Sequence, residues 1–485
     1  MKKNNLTILD IHNAILNKKT SFVKIAKLYA KNTKKLLKNK TNAIVSDLSA
    51  DAISNAKNLD KLLKKNELDL NNLLLGSVCS LKDNICLENY KTTGGSIFLK
   101  SFIPSYTATV AKLLINDNVL INSKSNMDEL GLGGTGTFSG FGVIKNIIYP
   151  NRITGGSSSG TVLAVKTNAA TFGIATDTGD SIRRPCSFMG LYGLKPSYGL
   201  VSRYGVLPYS PSLDHVGIVA NSIQDIAIVL SSIAKNDIKD HTNINAQNIN
   251  YNNNLVVQEK IKLGIIKQLK DVWNDCEEKT IFFNLINKLK NNENVEILEF
   301  DLDLYLIKAI APVYQVISYS EGLSSWNNLN GIIFGNNKIQ YKNWKDLMIK
   351  TRTDDLSSEL KKRFIFGAYS TDEQNFKKYY FKAKEIVNIF KNIFNDFFAN
   401  IDAFILPGAS SVAPLLEDVL NKKATTNEVD DLLEISNFTG MPSITIPYTE
   451  INNLAFGINL FANNKEDLKL LNTTLTLENI IKGIK

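Results

Sequence analysis

The chain has 485 residues, 44% of them hydrophobic, which is enough for a sizeable core and allows about three domains or one large one. Its net charge is +9, but lysines are spread through every segment, so charge alone is weak support for a polyanionic partner such as RNA. No apolar run reaches the roughly 18 residues that span a bilayer, and the N-terminus lacks a signal or transit pattern, so we expect a cytoplasmic protein without membrane contact. The cysteines show no CxxC spacing and predict free thiols: Cys79, Cys86, Cys186 and Cys276.

Helices are predicted first, over residues 6–65, where apolar residues recur at i, i+3 and i+4. From about residue 73, short apolar runs separated by Gly and Ser turns alternate with helical segments. One of these helices, at 222–234, begins at a predicted capping box of Ser222 and Asp225. Residues 236–258 are polar and Asn-rich and predict a surface loop.

The second part of the chain predicts further strands at KIKLGIIK, VEILEFDL, DAFILPG, PSITIPY and LAFGINLFA. Residues 372–398 predict one long amphipathic helix whose aromatic stripe packs in the core: Phe376, Tyr380, Phe390, Phe394 and Phe397. Alternating strands and helices favour an α/β fold whose sheet is covered on both faces. We expect one domain over 1–485, made of N-terminal helices (1–70), a core (73–235), the polar loop (236–258) and a second part of the sheet (259–485).

Three glycine-rich motifs stand close together. GLGGTG, residues 131–136, matches GxGxxG, but it does not directly follow a strand, and no Asp or Glu occurs between Leu130 and Thr176 to bind a ribose. TGGSSSGT, residues 154–161, has the glycines of a phosphate loop, but Thr161 stands where a lysine is required. Neither motif therefore favours a nucleotide site, and the third motif, DTGDS at 177–181, needs another explanation.

The chain is also poor in histidine, with only His12, His215 and His241, which form no metal-ligand spacing. His215 is the one histidine near the Ser-rich loops, and no GxSxG motif is present, so a histidine-based hydrolase is disfavoured but stays open. A serine nucleophile can instead be activated by a lysine that burial keeps neutral. Lys82, directly after an apolar run, is the candidate for that base.

Taken in order, LKDNI, SNMDELGLGG, TGGSSSGT and TDTGDSIRRP resemble the motifs of the amidase signature family, and the resemblance covers nearly the whole chain. It implies an α/β/α sandwich around a central mixed β-sheet and a Ser–cis-Ser–Lys triad. At the matching positions, Ser181 would be the nucleophile, Ser157 after a cis peptide bond the proton relay, and Lys82 the neutral base. The implied oxyanion hole consists of backbone N–H groups of Thr178, Gly179, Asp180 and Ser181. The resemblance implies no metal and no cofactor in this chain.

Within the family, NMDE at 126–129 and NDIKDHT at 236–242 resemble the A (glutaminase) subunits of tRNA-dependent amidotransferases. This implies a heterotrimer with B and C subunits, in which ammonia from glutamine amidates Glu-tRNA(Gln) while the partner subunit uses ATP and Mg²⁺. By resemblance, Arg363 would bind the glutamine carboxylate, Asp430 (or Asp431) its amine, and Tyr314 would line the pocket. A free-standing amidase acting on small amides and a catalytically impaired scaffold subunit remain the alternatives.

The sequence departs from the family in DTGDS, residues 177–181, where Asp180 replaces a usual glycine. This loop carries the expected nucleophile, Ser181, and is called the nucleophile loop below. A carboxylate that pointed inward there would oppose an oxyanion. Because Asp tolerates positive φ better than most residues, we expect the loop to survive with this side chain turned out. In TGGSSSGT, Ser159 and Thr161 replace a usual Gly and Ser.

Overall fold

The computed structural model describes residues 6–244, 248–335, 340–424 and 427–484. Within them, the strands form a single mixed sheet of eleven strands. These are β1 (Ile44–Asp47), β2 (Val78–Lys82), β3 (Leu120–Ser125), β4 (Phe172–Asp177), β5 (Tyr192–Lys195), β6 (His215–Ala220), β7 (Ile261–Ile266), β8 (Val295–Phe300), β9 (Ala403–Pro407), β10 (Ser443–Ile451) and β11 (Leu454–Phe461).

Helices, several of which pack against the sheet, occur throughout the described residues. They are α1 (Ile8–Leu16), α2 (Phe22–Lys38), α3 (Ser49–Lys64), α4 (Thr109–Asn116), α5 (Ser159–Lys166), α6 (Arg183–Met189), α7 (Ile223–Ile233), α8 (Leu269–Val272), α9 (Glu277–Lys290), α10 (Leu304–Trp326), α11 (Trp344–Asp355), α12 (Ser358–Thr371), α13 (Lys382–Phe397), α14 (Leu416–Leu420), α15 (Glu428–Asp431), α16 (Ile435–Thr439) and α17 (Asp467–Ile484). Short 3₁₀ turns occupy Glu129–Gly131 and Leu432–Glu434. In the described residues, none of the helices is both long and apolar enough to cross a membrane.

The strand order is β1-β3-β2-β4-β6-β5-β10-β11-β9-β7-β8. Strand β2 lies parallel to both of its neighbours, β3 and β4. The carboxyl ends of these three strands therefore meet at one edge of the sheet, where open α/β sheets bind ligands. Lys82 ends β2 and Asp177 ends β4, so two of the sequence motifs are brought to the same edge.

Both faces of the sheet are covered, as the alternation of elements predicts. Successive strand residues point to opposite faces. Ile174 and Ile218 belong to the hydrophobic cluster under α4 and α7, whereas the adjacent Ala175 and Val219 pack with α5 and α6 in a second cluster. The α/β fold with a covered mixed sheet is thus confirmed.

The hairpin β10–β11 joins the two parts of the sheet. Ile444 of β10 pairs with Leu194 of β5, and Leu460 of β11 pairs with Ile405 of β9, all in antiparallel register. The hairpin thus lies between β5 of the first part of the sheet and β9 of the second part.

Three sequence-based expectations need correction. Strand β1 interrupts the N-terminal segment that was predicted as helical throughout. The predicted helix over 372–398 begins as α-helix only at Lys382, after a π-helical turn over Lys377–Phe381, and Phe376 is 40% exposed rather than part of the core. Asp225 does not complete a capping box, because its carboxylate accepts the backbone N–H of Ile8 at 2.8 Å.

Within the predicted loop 236–258, residues 245–247 lie outside the described residues.

Candidate active site

Lys82 is fully buried at the carboxyl end of β2, where its register places it beside Ser125 of β3. Its Nζ lies 2.8 Å from Ser157 Oγ, 2.9 Å from Ser158 Oγ and 3.1 Å from the carbonyl oxygen of Thr176. The lysine that the sequence singled out therefore contacts one of the two predicted serines directly. It also contacts a second serine, Ser158, to which the sequence motifs assigned no role.

These contacts suit an uncharged amine. A neutral amine has two N–H donors and one lone pair. The Thr176 carbonyl can only accept, and Ser158 Oγ donates its own hydrogen to that carbonyl at 3.2 Å, so Ser158 is left to accept from the amine. The lone pair then faces the hydroxyl of Ser157. A charged ammonium would satisfy the same three oxygens, and only the direction of the Ser157 hydrogen bond would change.

Burial lowers the pKa of Lys82 to about 7, because an ammonium loses its hydration inside the protein. The carboxylates of Asp128, Asp177 and Asp214 oppose this shift without cancelling it. A lysine in this position is therefore largely neutral just above neutral pH, as a base must be.

The loop that carries Ser157 depends on glycines. The peptide bond between Gly156 and Ser157 is cis, as the resemblance predicted. A Cβ at Gly156 would overlap the Asp128 carboxylate, and one at Gly160 would overlap the backbone of Ala43 and Asn126. Glycine is required at these positions because the chain passes so close to other groups.

Asp128 explains the GLGGTG motif. Its buried carboxylate accepts backbone N–H groups from Thr135, Gly136 and Phe138 at 3.2, 3.1 and 2.9 Å. Its own N–H donates to the carbonyl of Ser157 at 3.3 Å. The glycine loop thus wraps around an internal carboxylate and supports the Ser157 loop, a role that the sequence did not reveal.

Ser181 follows β4 in the motif DTGDS and is almost completely buried. Its carbonyl accepts the N–H of Ser158 at 3.3 Å, which ties the nucleophile loop to the Ser157 loop. Thr178 Oγ1 donates to Asp214 at 2.6 Å, and a Cβ at Gly179 would lie 3.0 Å from the Tyr314 ring. The two serine loops and Tyr314 of α10 therefore converge at one place.

Arg183 stabilises the nucleophile loop through an ion pair and hydrogen bonds. It is fully buried and forms an ion pair with Asp177, with Nη2 2.9 Å and Nε 3.1 Å from the two carboxylate oxygens. The same guanidinium donates to the carbonyl of Leu433 and to Ser436 Oγ, both at 2.8 Å. Although burial alone would raise it, Arg183 holds the pKa of Asp177 well below its usual value. The sequence motif contained this arginine, but two of its partners, Leu433 and Ser436, lie about 250 residues further along the chain.

The Asp180 side chain was expected to turn outward, and the structure pairs its carboxylate with a neighbouring arginine rather than leaving it in open solvent. Its carboxylate is only 14% exposed and pairs with Arg184, with Nε and Oδ2 2.6 Å apart. Neither Gly179 nor Asp180 has a positive φ, so the loop accepts a side chain at 180 without backbone strain. Burial raises the pKa of Asp180 to about 6, against the opposing charge of Arg184.

The three residues expected to bind glutamine lie on α10, α12 and α15. Tyr314 lies over Gly179, and Arg363 of α12 stacks 5.2 Å above the ring centre of Tyr319. The two carboxylate oxygens of Asp430 on α15 accept from the N–H and Oγ of Ser410 at 2.8 and 2.7 Å. Ser410 is a further residue that the sequence did not single out.

His215 does not join the serines. Its Nδ1 lies 2.7 Å from the carbonyl of Leu213, and its buried Nε2 has no hydrogen-bond partner in the described part of the chain. Burial lowers the pKa of this histidine well below its usual value. The geometry therefore favours lysine over histidine as the partner of a serine nucleophile.

A covered α/β sheet that carries two serine loops and a buried lysine at its edge defines a class of hydrolase that activates a hydroxyl with an amine. The chain belongs to the amidase family, whose model matches residues 27–471. It is 41% identical to the A subunit of the glutamyl-tRNA(Gln) amidotransferase of Mycoplasma genitalium, over 86% of this chain and 88% of that one. It is 40% identical to the protein of the same name from Mycoplasma pneumoniae, over 83% of this chain and 85% of that one.

Solved structures agree on the fold. The A subunit of the glutamyl-tRNA(Gln) amidotransferase of Thermotoga maritima superposes with a TM-score of 0.78 at 22% identity, over 98% of this chain and 95% of that one. A peptide amidase from Stenotrophomonas maltophilia gives a TM-score of 0.82 at 21% identity, over 99% and 98%. At these identities the likeness establishes the architecture, while the sequence relatives establish an enzyme of the amidase and amidotransferase type.

Proposed function

We propose that this chain is the glutaminase subunit of a tRNA-dependent amidotransferase and that Ser181 is its nucleophile. The observation that carries the proposal is the contact between Lys82, which is buried and has a pKa of about 7, and Ser157. The loop of Ser157 is in turn hydrogen-bonded to the loop of Ser181. The relatives named above, which match most of the chain, support glutamine as the source of ammonia.

In this mechanism, Ser181 Oγ attacks the side-chain amide carbon of glutamine while its proton passes to Ser157 and the proton of Ser157 passes to Lys82. The carbonyl oxygen gains negative charge, which backbone N–H groups of residues 178–181 stabilise. When the tetrahedral intermediate collapses, the proton returns to the leaving nitrogen and ammonia departs. Water then cleaves the acyl-enzyme by the same relay, releases glutamate and restores Ser181.

The proposed glutamine pocket lies between α10, α12 and α15. Arg363 would pair with the α-carboxylate, since a guanidinium suits a carboxylate with two parallel hydrogen bonds. Asp430 would accept from the α-ammonium, because in the described residues each of its oxygens makes one hydrogen bond, to Ser410, and retains a lone pair. Tyr314 would close the pocket over the nucleophile loop.

We further propose that the chain works in the cytoplasm in a heterotrimer with B and C subunits. Ammonia would then be used on Glu-tRNA(Gln), with ATP and Mg²⁺ handled by the partner subunit. The names of the relatives, which designate the A component of an amidotransferase, support this assignment. In such a heterotrimer, this chain would need no cofactor of its own.

The test is to co-express the chain with its partner subunits and to measure ammonia release from glutamine. Changing Ser181 to Ala is expected to reduce this release by about 10³-fold or more, because the nucleophile is lost. Ser101→Ala, which alters an exposed serine outside the loops, serves as the matched control and should behave as wild type. Equal ammonia release from wild type and Ser181→Ala would favour a scaffold subunit instead.

The same preparation tests the free-standing amidase. Rapid turnover of small amides by the isolated chain, with no stable complex after purification, would contradict the proposed subunit function. A stable complex whose glutaminase activity exceeds that of the isolated chain would support it.

Hydrolysis is expected to depend on pH through Lys82. Because only the neutral amine can take a proton, and its pKa is about 7, kcat/KM should fall about tenfold for each pH unit below that value and level off above it. Rates measured from pH 5.5 to 8.5, beside melting temperatures at each pH, separate this effect from unfolding. A profile that is flat, or that falls as pH rises through 7, would contradict a lysine base.

A further inference from the structure

Asp180 places a carboxylate next to the proposed nucleophile. It belongs to the loop whose N–H groups would stabilise an oxyanion, and its side chain is largely buried. A free carboxylate at this point would repel the negative charge that develops on the substrate oxygen, and the low polarity of the site would strengthen that repulsion. A positively charged group must therefore neutralise the Asp180 carboxylate or hold it away from the substrate oxygen.

Arg184 is placed to do so. Its side-chain Nε lies 2.6 Å from Asp180 Oδ2. Its backbone N–H donates to the carbonyl of Asp180 at 3.0 Å. A Cβ at Gly134 would lie 2.7 Å from Arg184 Nη2, so the guanidinium is packed between the nucleophile loop and the 131–136 loop. The guanidinium is thus in ion-pair contact with the carboxylate and lies close to Gly134, although its Nε forms no aligned hydrogen bond in the described residues.

The surroundings of Asp180 are otherwise strongly acidic. The charged groups that act on Asp180 are Arg184, Asp177, Arg183 and Asp430, and Asp180 in turn acts on Tyr314, Asp431 and Glu434. Arg183 is already committed to Asp177, and one carboxylate oxygen of Glu434 is buried without a hydrogen-bond partner in the described residues. Within this set, Arg184 is the cation left to balance Asp180.

We propose that Arg184 is a positioning residue that draws the Asp180 carboxylate away from the oxyanion-binding N–H groups and neutralises it while the tetrahedral intermediate forms. The inference rests on the proposed function, in which Ser181 is the nucleophile. It makes Asp180 and Arg184 a functional pair.

The experiment is a double-mutant cycle in the assembled complex, with Arg184→Ala, Asp180→Gly and the double variant, assayed with glutamine. Arg184→Ala should lower kcat about tenfold at pH 9 without raising KM, because the proposed effect acts on the oxyanion and not on substrate binding. Asp180→Gly should remove this sensitivity, so that the double variant hydrolyses glutamine as fast as Asp180→Gly alone. Arg184→Lys should retain most of the wild-type kcat.

The pH dependence distinguishes this role from a structural one. Without Arg184 the pKa of Asp180 rises further above about 6, so the carboxylate is partly protonated at neutral pH and fully charged at pH 9. The loss in Arg184→Ala should therefore grow from pH 7 to pH 9, and it should not do so in the Asp180→Gly background. A kcat for Arg184→Ala equal to wild type at pH 9, or an equal loss in both backgrounds, would overturn the proposal.

A second readout separates this inference from the proposed substrate. The rate at which a fluorophosphonate probe labels Ser181 reports on the nucleophile without glutamine, and the same four proteins should give the same pattern. If wild type is labelled in an Arg184-dependent way but does not hydrolyse glutamine, the proposed function fails and the inference stands. Labelling that is unaffected by Arg184, or absent from wild type, would refute the inference itself.

Discussion

Replacement of Lys82 by methionine is expected to abolish glutamine hydrolysis, with a loss of about 10³-fold or more in kcat. Methionine has a similar length and suits a buried site, but it cannot accept a proton. The Thr176 carbonyl still has a hydrogen-bond donor after the substitution, because Ser158 Oγ donates to it. The chain should therefore remain folded, and circular dichroism beside the ammonia assay checks both expectations.

Lys166→Met is the matched control, since Lys166 is a partly buried lysine at the end of α5 outside the serine loops. It should retain wild-type activity. If Lys82→Met kept more than about a tenth of the wild-type rate while folded, lysine could not be the base, and the proton would have to leave Ser157 by another route.

The largest expected effect on stability comes from Arg183→Leu. This change leaves the Asp177 carboxylate buried without its partner, which costs about 3–5 kcal/mol in the free energy of unfolding. It also removes the bonds to Leu433 and Ser436. Urea denaturation of the purified chain measures the loss, and the double variant Asp177→Leu/Arg183→Leu should be affected less, because no uncompensated charge remains.

The pH dependence of stability provides a second check on this pair. The pKa of Asp177 is held below its usual value, so its contribution is fully present above about pH 4 and is lost as the pH falls below that. The Arg183→Leu variant should lack this acid-dependent loss. Stability of Arg183→Leu within about 1 kcal/mol of wild type at pH 7 would contradict a structural role for the ion pair.

The sequence predicted most of the sheet because strand signals are local. The apolar run that ends in Lys82 indicated both a buried strand and a side chain at its end, and the structure agrees. In the structure, Gly156 and Gly160 explain the glycines of 154–161, because the backbone there passes very close to other groups. Motif order and resemblance then assigned Lys82, Ser157 and Ser181 to one site.

Partners far apart in sequence could not be predicted in the same way. Asp128 lies three residues before the start of the GLGGTG loop, but only the folded backbone shows three N–H groups directed at its carboxylate. The contacts of Arg183 with Leu433 and Ser436 depend on how the end of the chain crosses the sheet. The partner of the Asp180 carboxylate was not predicted either: Arg184 lies only one helical turn away, but the motif does not reveal the role of this arginine.

The central place of the β10–β11 hairpin has a consequence for how the enzyme is made. Translation delivers the serine loops hundreds of residues before β10 and β11 leave the ribosome, and domains assemble as their segments become available. The guanidinium beneath the nucleophile loop cannot reach Leu433 or Ser436 until then. The buried ion pair of Arg183 and Asp177 therefore gains these further hydrogen bonds only at a late stage of synthesis, after most of the chain has left the ribosome.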